Sequence, residues 1–131
     1  VFGSAGERDR GKRPIQGQIS AELADFSIFT SEDPRFEDPE EIIHEIAEGA
    51  KAAGAKPEID FLCIENRAQA LETAIGMARP GDTVLLAGKG HEQCMIYGSQ
   101  RVPWNEELEA KRALRARGFH HADDPETEGS E

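Results

Sequence analysis

Three short stretches of this sequence hold side chains whose types and spacing could do chemistry. In Ala87-Gly88-Lys89-Gly90-His91-Glu92, two glycines, an ammonium, an imidazole and a carboxylate follow the apolar run Thr83–Ala87. Gly88 lets backbone approach a ligand closely, and Glu92 suits an ammonium group. Lys89 reads as a phosphate contact or a solvated cation, and His91 as a general base or, more commonly, a hydrogen-bonding or packing residue. Glu32-Asp33-Pro34-Arg35 sets an arginine beside two carboxylates around a proline. That pattern fits a clamp for a zwitterion, with Arg35 on its carboxylate and Glu32 or Asp33 on its ammonium. It fits a turn with a helix-start signal equally well. Pro34 fixes its own φ and is expected to push Asp33 into an extended conformation.

The third stretch, Gly6-Glu7-Arg8-Asp9-Arg10-Gly11-Lys12-Arg13, follows the phosphate-loop pattern G-x-x-x-x-G-K up to its last position. There Arg13 stands where a Ser or Thr would hold Mg²⁺, and the four intervening residues are large and charged. Two other readings remain. One is a solvated charged loop; the other is an anion-binding loop in which Arg8, supported by Asp9, Lys12 and Arg13, meets a carboxylate or phosphate.

The elements that must position these stretches follow from patterning. Val1-Phe2 reads as the tail end of a strand, so the chain is expected to lack the first elements of its domain. Ile15, Ile19 and Leu23 recur every four residues behind Pro14 and predict a helix. Phe26–Thr30 reads as a strand, and Asp38-Pro39 as an N-cap with proline at the first helical position. Ile42, Ile43, Ile46, Ala47 and Ala50 form the apolar stripe of that helix, which Gly54 ends. Ile59–Ile64 is a third strand, and Asn66 caps a helix buried through Ala70, Leu71, Ala74, Ile75 and Ala78. Thr83–Ala87 reads as a buried strand. Cys94–Tyr97 and Arg101–Trp104 flank a hairpin turn, and Asn105 caps a last helix with Leu108 and Leu114 inward. Strands alternating with helices define an α/β, Rossmann-like fold: a mainly parallel sheet flanked by helices, with an antiparallel C-terminal edge hairpin. The three chemical stretches then lie at successive strand ends, where open α/β sheets bind ligands.

The chain has 131 residues, about one domain, and carries 26 acidic against 15 basic residues for a formal net charge of −11. Nucleic-acid and anionic-membrane partners are therefore not expected. The domain is expected over residues 1–118 and an acidic disordered tail over 119–131. Cys63 and Cys94 have no metal-ligand spacing and are expected to be buried free thiols of a cytosolic protein, and no metal site is expected.

Val1–Pro14 closely resembles the VFGxGGDRDxGKRP stretch of MurE-type Mur ligases. Thr30–Arg35, followed by Glu37-Asp38-Pro39, resembles their DNPR segment, and Ala87–Glu92 matches their AGKGHE. The matches fall in the family's order and spacing from residue 1 to about 117. The resemblance implies the C-terminal, amino-acid-docking domain of a UDP-N-acetylmuramoyl-tripeptide synthetase, a cytoplasmic peptidoglycan-precursor ligase. Such enzymes use ATP and Mg²⁺ to join a diamino acid to UDP-MurNAc-L-Ala-D-Glu through an acyl phosphate. The diamino acid is meso-diaminopimelate, lysine or ornithine. The resemblance places amino-acid contacts at Arg8, Glu32, Asp33, Pro34, Arg35, Gly88 and Glu92. Asp9, Lys12, Arg13, Lys89 and His91 become supporting or phosphate contacts. ATP and Mg²⁺ belong mainly to a central domain that this stretch does not contain, and neither it nor the N-terminal UDP-sugar domain has an equivalent here. No catalytic residue is expected within the stretch, and by itself it is expected to be inactive. Where the family has Asp-Asn, this chain has Glu32-Asp33, and the extra carboxylate is expected to favour a cationic side-chain end. The alternative reading is a free-standing Rossmann-like module that binds an anionic metabolite or nucleotide without catalysis.

Overall fold

Strand β1 (Ser27–Phe29) is the hub of the parallel sheet in the computed structural model, which describes residues 1–119. On one side it pairs with β2 (Phe61–Cys63), Ser27 opposite Phe61. On the other it pairs with Phe2, whose N–H donates to the Ile28 carbonyl at 3.1 Å. Val1 then bridges to Thr83–Ala87. Its ammonium donates to the Leu85 carbonyl at 2.9 Å, and its own carbonyl accepts from the Ala87 N–H at 2.9 Å. The order across the sheet is therefore β2, β1, Val1–Phe2 and Thr83–Ala87.

Helices α1 (Lys12–Leu23) and α2 (Pro39–Ala52) carry the chain outward from Val1–Phe2 to β1 and then β2. Helix α3 (Arg67–Met77) returns it across the sheet to Thr83–Ala87. Right-handed crossovers put α1 and α2 on one face and α3 on the other. The order reverses between Val1–Phe2 and Thr83–Ala87, which is the switch point of a doubly wound sheet.

The expected stripe of α2 is the core. Ile42, Ile43, Ile46, Ala47 and Ala50 are buried with Phe29 and Phe61. The Phe29 ring stacks edge-on against Phe2 and tilted against Phe61, with centroids 5.4 and 5.2 Å away. The Asp38 carboxylate accepts from the Glu40 N–H at 2.9 Å, capping α2, and Asn66 caps α3 through the Gln69 N–H at 3.0 Å. Strands β3 (Cys94–Tyr97) and β4 (Gln100–Pro103) form the expected hairpin around Gly98-Ser99. The hairpin is a ribbon of its own, joined to the rest by a rung between Tyr97 and Arg35.

Four expectations are corrected. The α1 stripe faces solvent: Ile15, Ile19 and Leu23 are 56%, 48% and 82% exposed. Helix α1 meets α2 through Arg13 and Gly17 instead, because only a residue without a side chain admits the α2 backbone there. Thr83–Ala87 is not a regular buried strand. Among the described residues its only backbone partner is Val1, and Leu85 is 71% exposed. Helix α4 (Glu106–Ala116) buries Glu106 and Ala113 rather than Leu108 and Leu114. Arg117, just beyond it, donates to the Gly76 and Ala78 carbonyls at 3.1 and 3.0 Å. Cys63 is exposed, at the outer edge of β2, and Cys94 only half-buried, although both are free thiols. Of the expected acidic tail, residues 120–131 lie outside the described residues.

A Cβ at Gly17 would collide with the Ile46 carbonyl oxygen, and one at Gly49 with that of Pro14. The α1–α2 contact thus depends on a glycine in each helix. Gly49→Ala is expected to lower unfolding free energy by about 1–3 kcal/mol, despite the roughly 1 kcal/mol that alanine gains over glycine as a helix former. Urea unfolding of the two proteins measures it, and a higher midpoint for the variant would show that the helices separate freely.

Candidate functional site

The switch point sits between the C-terminal ends of Val1–Phe2 and Thr83–Ala87, and two of the chemical stretches leave the sheet there. The third, Ser31–Arg35, leaves the adjacent end of β1. It is held on three sides. The Gly6 N–H donates to the Asp33 carbonyl at 2.9 Å, and the Arg35 guanidinium returns a bond to the Gly6 carbonyl at 2.9 Å. The Arg35 N–H donates to the Ile96 carbonyl at 3.0 Å, and the Gly98 N–H to the Arg35 carbonyl at 2.7 Å. Between these anchors, Asp33 and Arg35 adopt φ of 40° and 55° on either side of Pro34. Asp33 is therefore not extended, as its place before proline had suggested. Left-handed φ at non-glycine residues costs on the order of 1–3 kcal/mol each and survives where surrounding bonds over-determine it.

Lys89 supplies one such bond. Its side chain is buried, and its ammonium donates to both Asp33 carboxylate oxygens, at 2.9 and 3.1 Å, and to Glu92 at 2.7 Å. Asp33 also accepts the Ile96 N–H at 2.9 Å. Burial lowers the Lys89 pKa, but the two carboxylates more than offset it and leave the group raised. Lys89 is thus buried inside the frame with its ammonium held by two carboxylates. Asp33 is likewise committed, so it adds no free negative charge to the crevice, contrary to the expectation drawn from its departure from the family pattern.

Glu32 is different. No hydrogen bond or ion pair to its carboxylate forms among the described residues. Burial raises its pKa, while the charges of Arg67 and Lys89 pull it down. It lies against Gly88, whose φ is 105°; a Cβ there would come within 2.8 Å of Oε1. Glycine at this position lets the carboxylate rest on the loop backbone. Glu92 projects from the same loop with its side chain 53% exposed. His91 and Lys12 are exposed, and Arg8 is exposed with no partner among the described residues.

The first loop does not fit a nucleotide phosphate or its Mg²⁺. Five of its eight amides are already used: Gly6 by Asp33, Glu7 by the Glu37 carboxylate, Gly11 by the Asp9 carboxylate, Lys12 by the Asp9 carbonyl and Arg13 by the Arg10 carbonyl. Arg13, at the position of the metal-holding hydroxyl, is buried. It donates to Glu37 at 2.7 and 3.1 Å, to Glu45 at 2.9 Å and to the Ala5 carbonyl at 3.2 Å. Arg13 therefore supports the loop from beneath and is not a phosphate contact. Arg10 pairs with Glu45 as well. Among the described residues, no group of three or more His, Cys, Asp or Glu side chains is placed to hold a metal ion.

Sequence reasoning missed Arg67 and Glu106, a buried ion pair beneath the crevice. Arg67 opens α3, where a cation opposes the helix dipole, and that mismatch was the available signal.

Fold and loop contacts together define a doubly wound α/β domain in which three charged segments meet at the switch point. A sequence model of the family described as Mur ligase, glutamate ligase domain, matches residues 1–90, and the chain belongs to that family, as its C-terminal domain. It is 57% identical over 119 residues to the UDP-N-acetylmuramyl-tripeptide synthetase of Roseiflexus sp. (strain RS-1), covering 91% of this chain and 23% of that protein. It is 43% identical over 114 residues to the UDP-N-acetylmuramoyl-L-alanyl-D-glutamate--2,6-diaminopimelate ligase of Synechocystis sp. (strain ATCC 27184 / PCC 6803 / Kazusa), covering 87% and 22%. A solved structure of a UDP-N-acetylmuramoyl-L-alanyl-D-glutamate--2,6-diaminopimelate ligase superposes with a TM-score of 0.81 at 35% identity, over 92% of this chain and 24% of that one. The chain thus spans about a quarter of the length of these relatives. No helix among the described residues is long and apolar enough to cross a membrane.

Glu37 links the first loop to the Arg35 segment, and its ionisation carries a signature. The Arg13 hydrogen bond first, then the Glu7 N–H, hold its pKa at about 2, against an ordinary 4.5. A depressed carboxylate stabilises the fold above its unfolded pKa, and that stability is lost as pH falls through the folded one. Glu37→Gln is therefore expected to be less stable than the parent at neutral pH, with the gap closing as pH falls from about 4.5 to about 2. Urea unfolding across that range measures it; a constant gap would show that the charge of Glu37 contributes nothing.

Proposed function

We propose that this domain docks the incoming diamino acid of an ATP-dependent amide-bond ligase that extends UDP-MurNAc-L-Ala-D-Glu in the cytoplasm. The observation that carries the reading is the convergence of three motifs on one crevice. Gly88 lies against Glu32, Lys89 binds Asp33, and Gly6 binds Asp33 and Arg35. Two names among the relatives, a tripeptide synthetase and a 2,6-diaminopimelate ligase, supply the substrate class.

In this reading Arg8 and Arg35 receive carboxylate, through charge-assisted and potentially bidentate bonds. Glu92 and the Gly88 carbonyl take an ammonium group, and the uncommitted Glu32 carboxylate takes the cationic end of the substrate. The contribution of the domain is to hold the amine in line with an activated acyl group, which removes an entropic barrier. ATP with Mg²⁺ supplies the acyl activation in the complete enzyme, bound mainly outside this domain. The choice among meso-diaminopimelate, lysine and ornithine then turns on how Glu32 and Arg35 share the distal end of the substrate.

A free-standing module that binds nucleotide is the weaker reading, because most amides of the first loop already have acceptors within the chain and Arg13 stands in place of the metal-holding hydroxyl.

In the complete ligase, Arg8→Ala removes an exposed cation with no internal partner, so its effect on the fold is small. It is expected to raise the KM for the amino acid about tenfold or more, the size of one lost charge-assisted bond, while leaving the KM for ATP unchanged. Arg35→Ala is expected to do the same. Steady-state kinetics with each substrate varied in turn measures both, and an unchanged amino-acid KM in both variants would remove the crevice from the reaction.

A further inference from the structure

Arg67 is 2% exposed at the first position of α3. Its Nε and Nη2 donate to the two oxygens of Glu106 at 2.9 and 3.0 Å, a bidentate pair, and Glu106 is buried at the first position of α4. The remaining donors reach backbone. Nη1 binds the Ser31 carbonyl at 2.9 Å, and Nη2 the Ala87 carbonyl at 2.9 Å. Ser31 is the residue before Glu32–Arg35, and Ala87 the residue before Gly88–Glu92.

A buried ion pair is a poor device for stability alone, since an apolar pair of similar volume often serves as well. An apolar pair cannot, however, hold two carbonyls from different strand ends at a fixed separation. We propose that Arg67, locked in place by Glu106, is a positioning residue that sets the spacing between the Glu32–Arg35 segment and the Gly88–Glu92 loop. The proposal rests on reading the crevice as the amino-acid site.

The geometry makes the spacing matter. The Glu32 carboxylate lies within about 3 Å of the place a Cβ of Gly88 would take, so any relative shift of the two segments is felt there. Lys89 ties the same segments through Asp33. Removal of Arg67 is therefore expected to loosen the crevice without dismantling it. The charge of Arg67 also opposes the effect of burial on Glu32 and so favours its ionised form.

The test replaces both charges at once, by Arg67→Met with Glu106→Leu. In the 131-residue chain, amide hydrogen exchange is read at Arg35 and Glu92, whose N–H groups are hydrogen-bonded to Ile96 and Lys89. Exchange at both is expected to quicken roughly tenfold or more, while the amides of α2 stay as in the parent. In the complete ligase the same pair of changes is expected to raise the amino-acid KM about tenfold with the KM for ATP within about twofold.

Parent-like exchange at Arg35 and Glu92 in the folded double variant overturns the proposal. So does a uniform rise that includes α2, which marks general destabilisation. If the double variant does not fold, Arg67→Lys is read instead. It keeps the charge beside Glu106 but cannot reach both carbonyls, so the same local quickening is expected and parent-like exchange overturns the idea. Loosened segments in a ligase whose amino-acid KM ignores Arg8 and Arg35 would sustain the positioning role and sink the reading of the site.

Discussion

A cation taken out of water costs several kcal/mol unless carboxylates and carbonyls replace its hydration. This domain meets that constraint three times, at Arg13, Arg67 and Lys89, all 2% exposed or less. Each stands beneath one of the three loops, and each binds at least one group from an element distant in sequence. Arg13 gathers the Ala5 carbonyl with Glu37 and Glu45; Lys89 gathers Asp33 and Glu92; Arg67 gathers Ser31, Ala87 and Glu106. In an acidic chain, interior cations are what draw negatively charged segments together. The hydrophobic core between α2 and the sheet fixes the scaffold, and the buried cations fix the loops to it.

The strained backbone at Asp33 and Arg35 follows from the same arrangement. Left-handed φ on both sides of Pro34 turns the Arg35 guanidinium back to Gly6 while its backbone stays paired with the hairpin. Neither conformation is favourable locally, and both are held by bonds that converge from the first loop, from Lys89 and from β3. The cost is borne where it fixes the direction of side chains that face the crevice. With Asp33 neutralised by Lys89, the uncommitted charge is narrowed to Glu32, Arg8 and the exposed side of Glu92. In the docking role proposed above, selectivity for one diamino acid over another would therefore turn on fewer groups than the motif contains.

Much of the scaffold was legible in the sequence because the relevant signals are local. The Asp38-Pro39 and Asn66 caps, the stripe from Ile42 to Ala50 and the Gly98-Ser99 turn each need only a few neighbouring residues to work, and each stands as read. The failures share another cause. Ile15, Ile19 and Leu23 show helical periodicity, but periodicity does not say which face finds a partner, and two glycines decided that for α1 and α2. Thr83–Ala87 is apolar enough for a central strand, yet its burial depends on a neighbouring strand, and among the described residues only Val1 pairs with its backbone. Leu108 and Leu114 lost their inward place to Glu106, whose partner lies 39 residues earlier in sequence. The structure does bring the three chemical stretches into contact, but which of their charges are left unpaired could not be read. Lys89, Arg13 and Asp33 look from sequence like ligand-binding groups, and three-dimensional pairing turns them into framework.

That conversion bears on the docking role proposed for the domain. Effective molarity depends on how narrowly the reacting amine is held, and a misplacement of about 1 Å can cost on the order of a hundredfold in rate. Loops positioned only by their own turns would not meet that demand. Here the Glu32–Arg35 segment and the Gly88–Glu92 loop are tied both through Lys89 and through Arg67, the second tie reaching into α3 and, by way of Glu106, α4. The last helix, which carries none of the candidate contacts, thereby becomes part of the frame of the site. In the proposed docking role the domain could set a reaction rate without breaking a bond itself, because the geometry it presents is fixed before a substrate arrives.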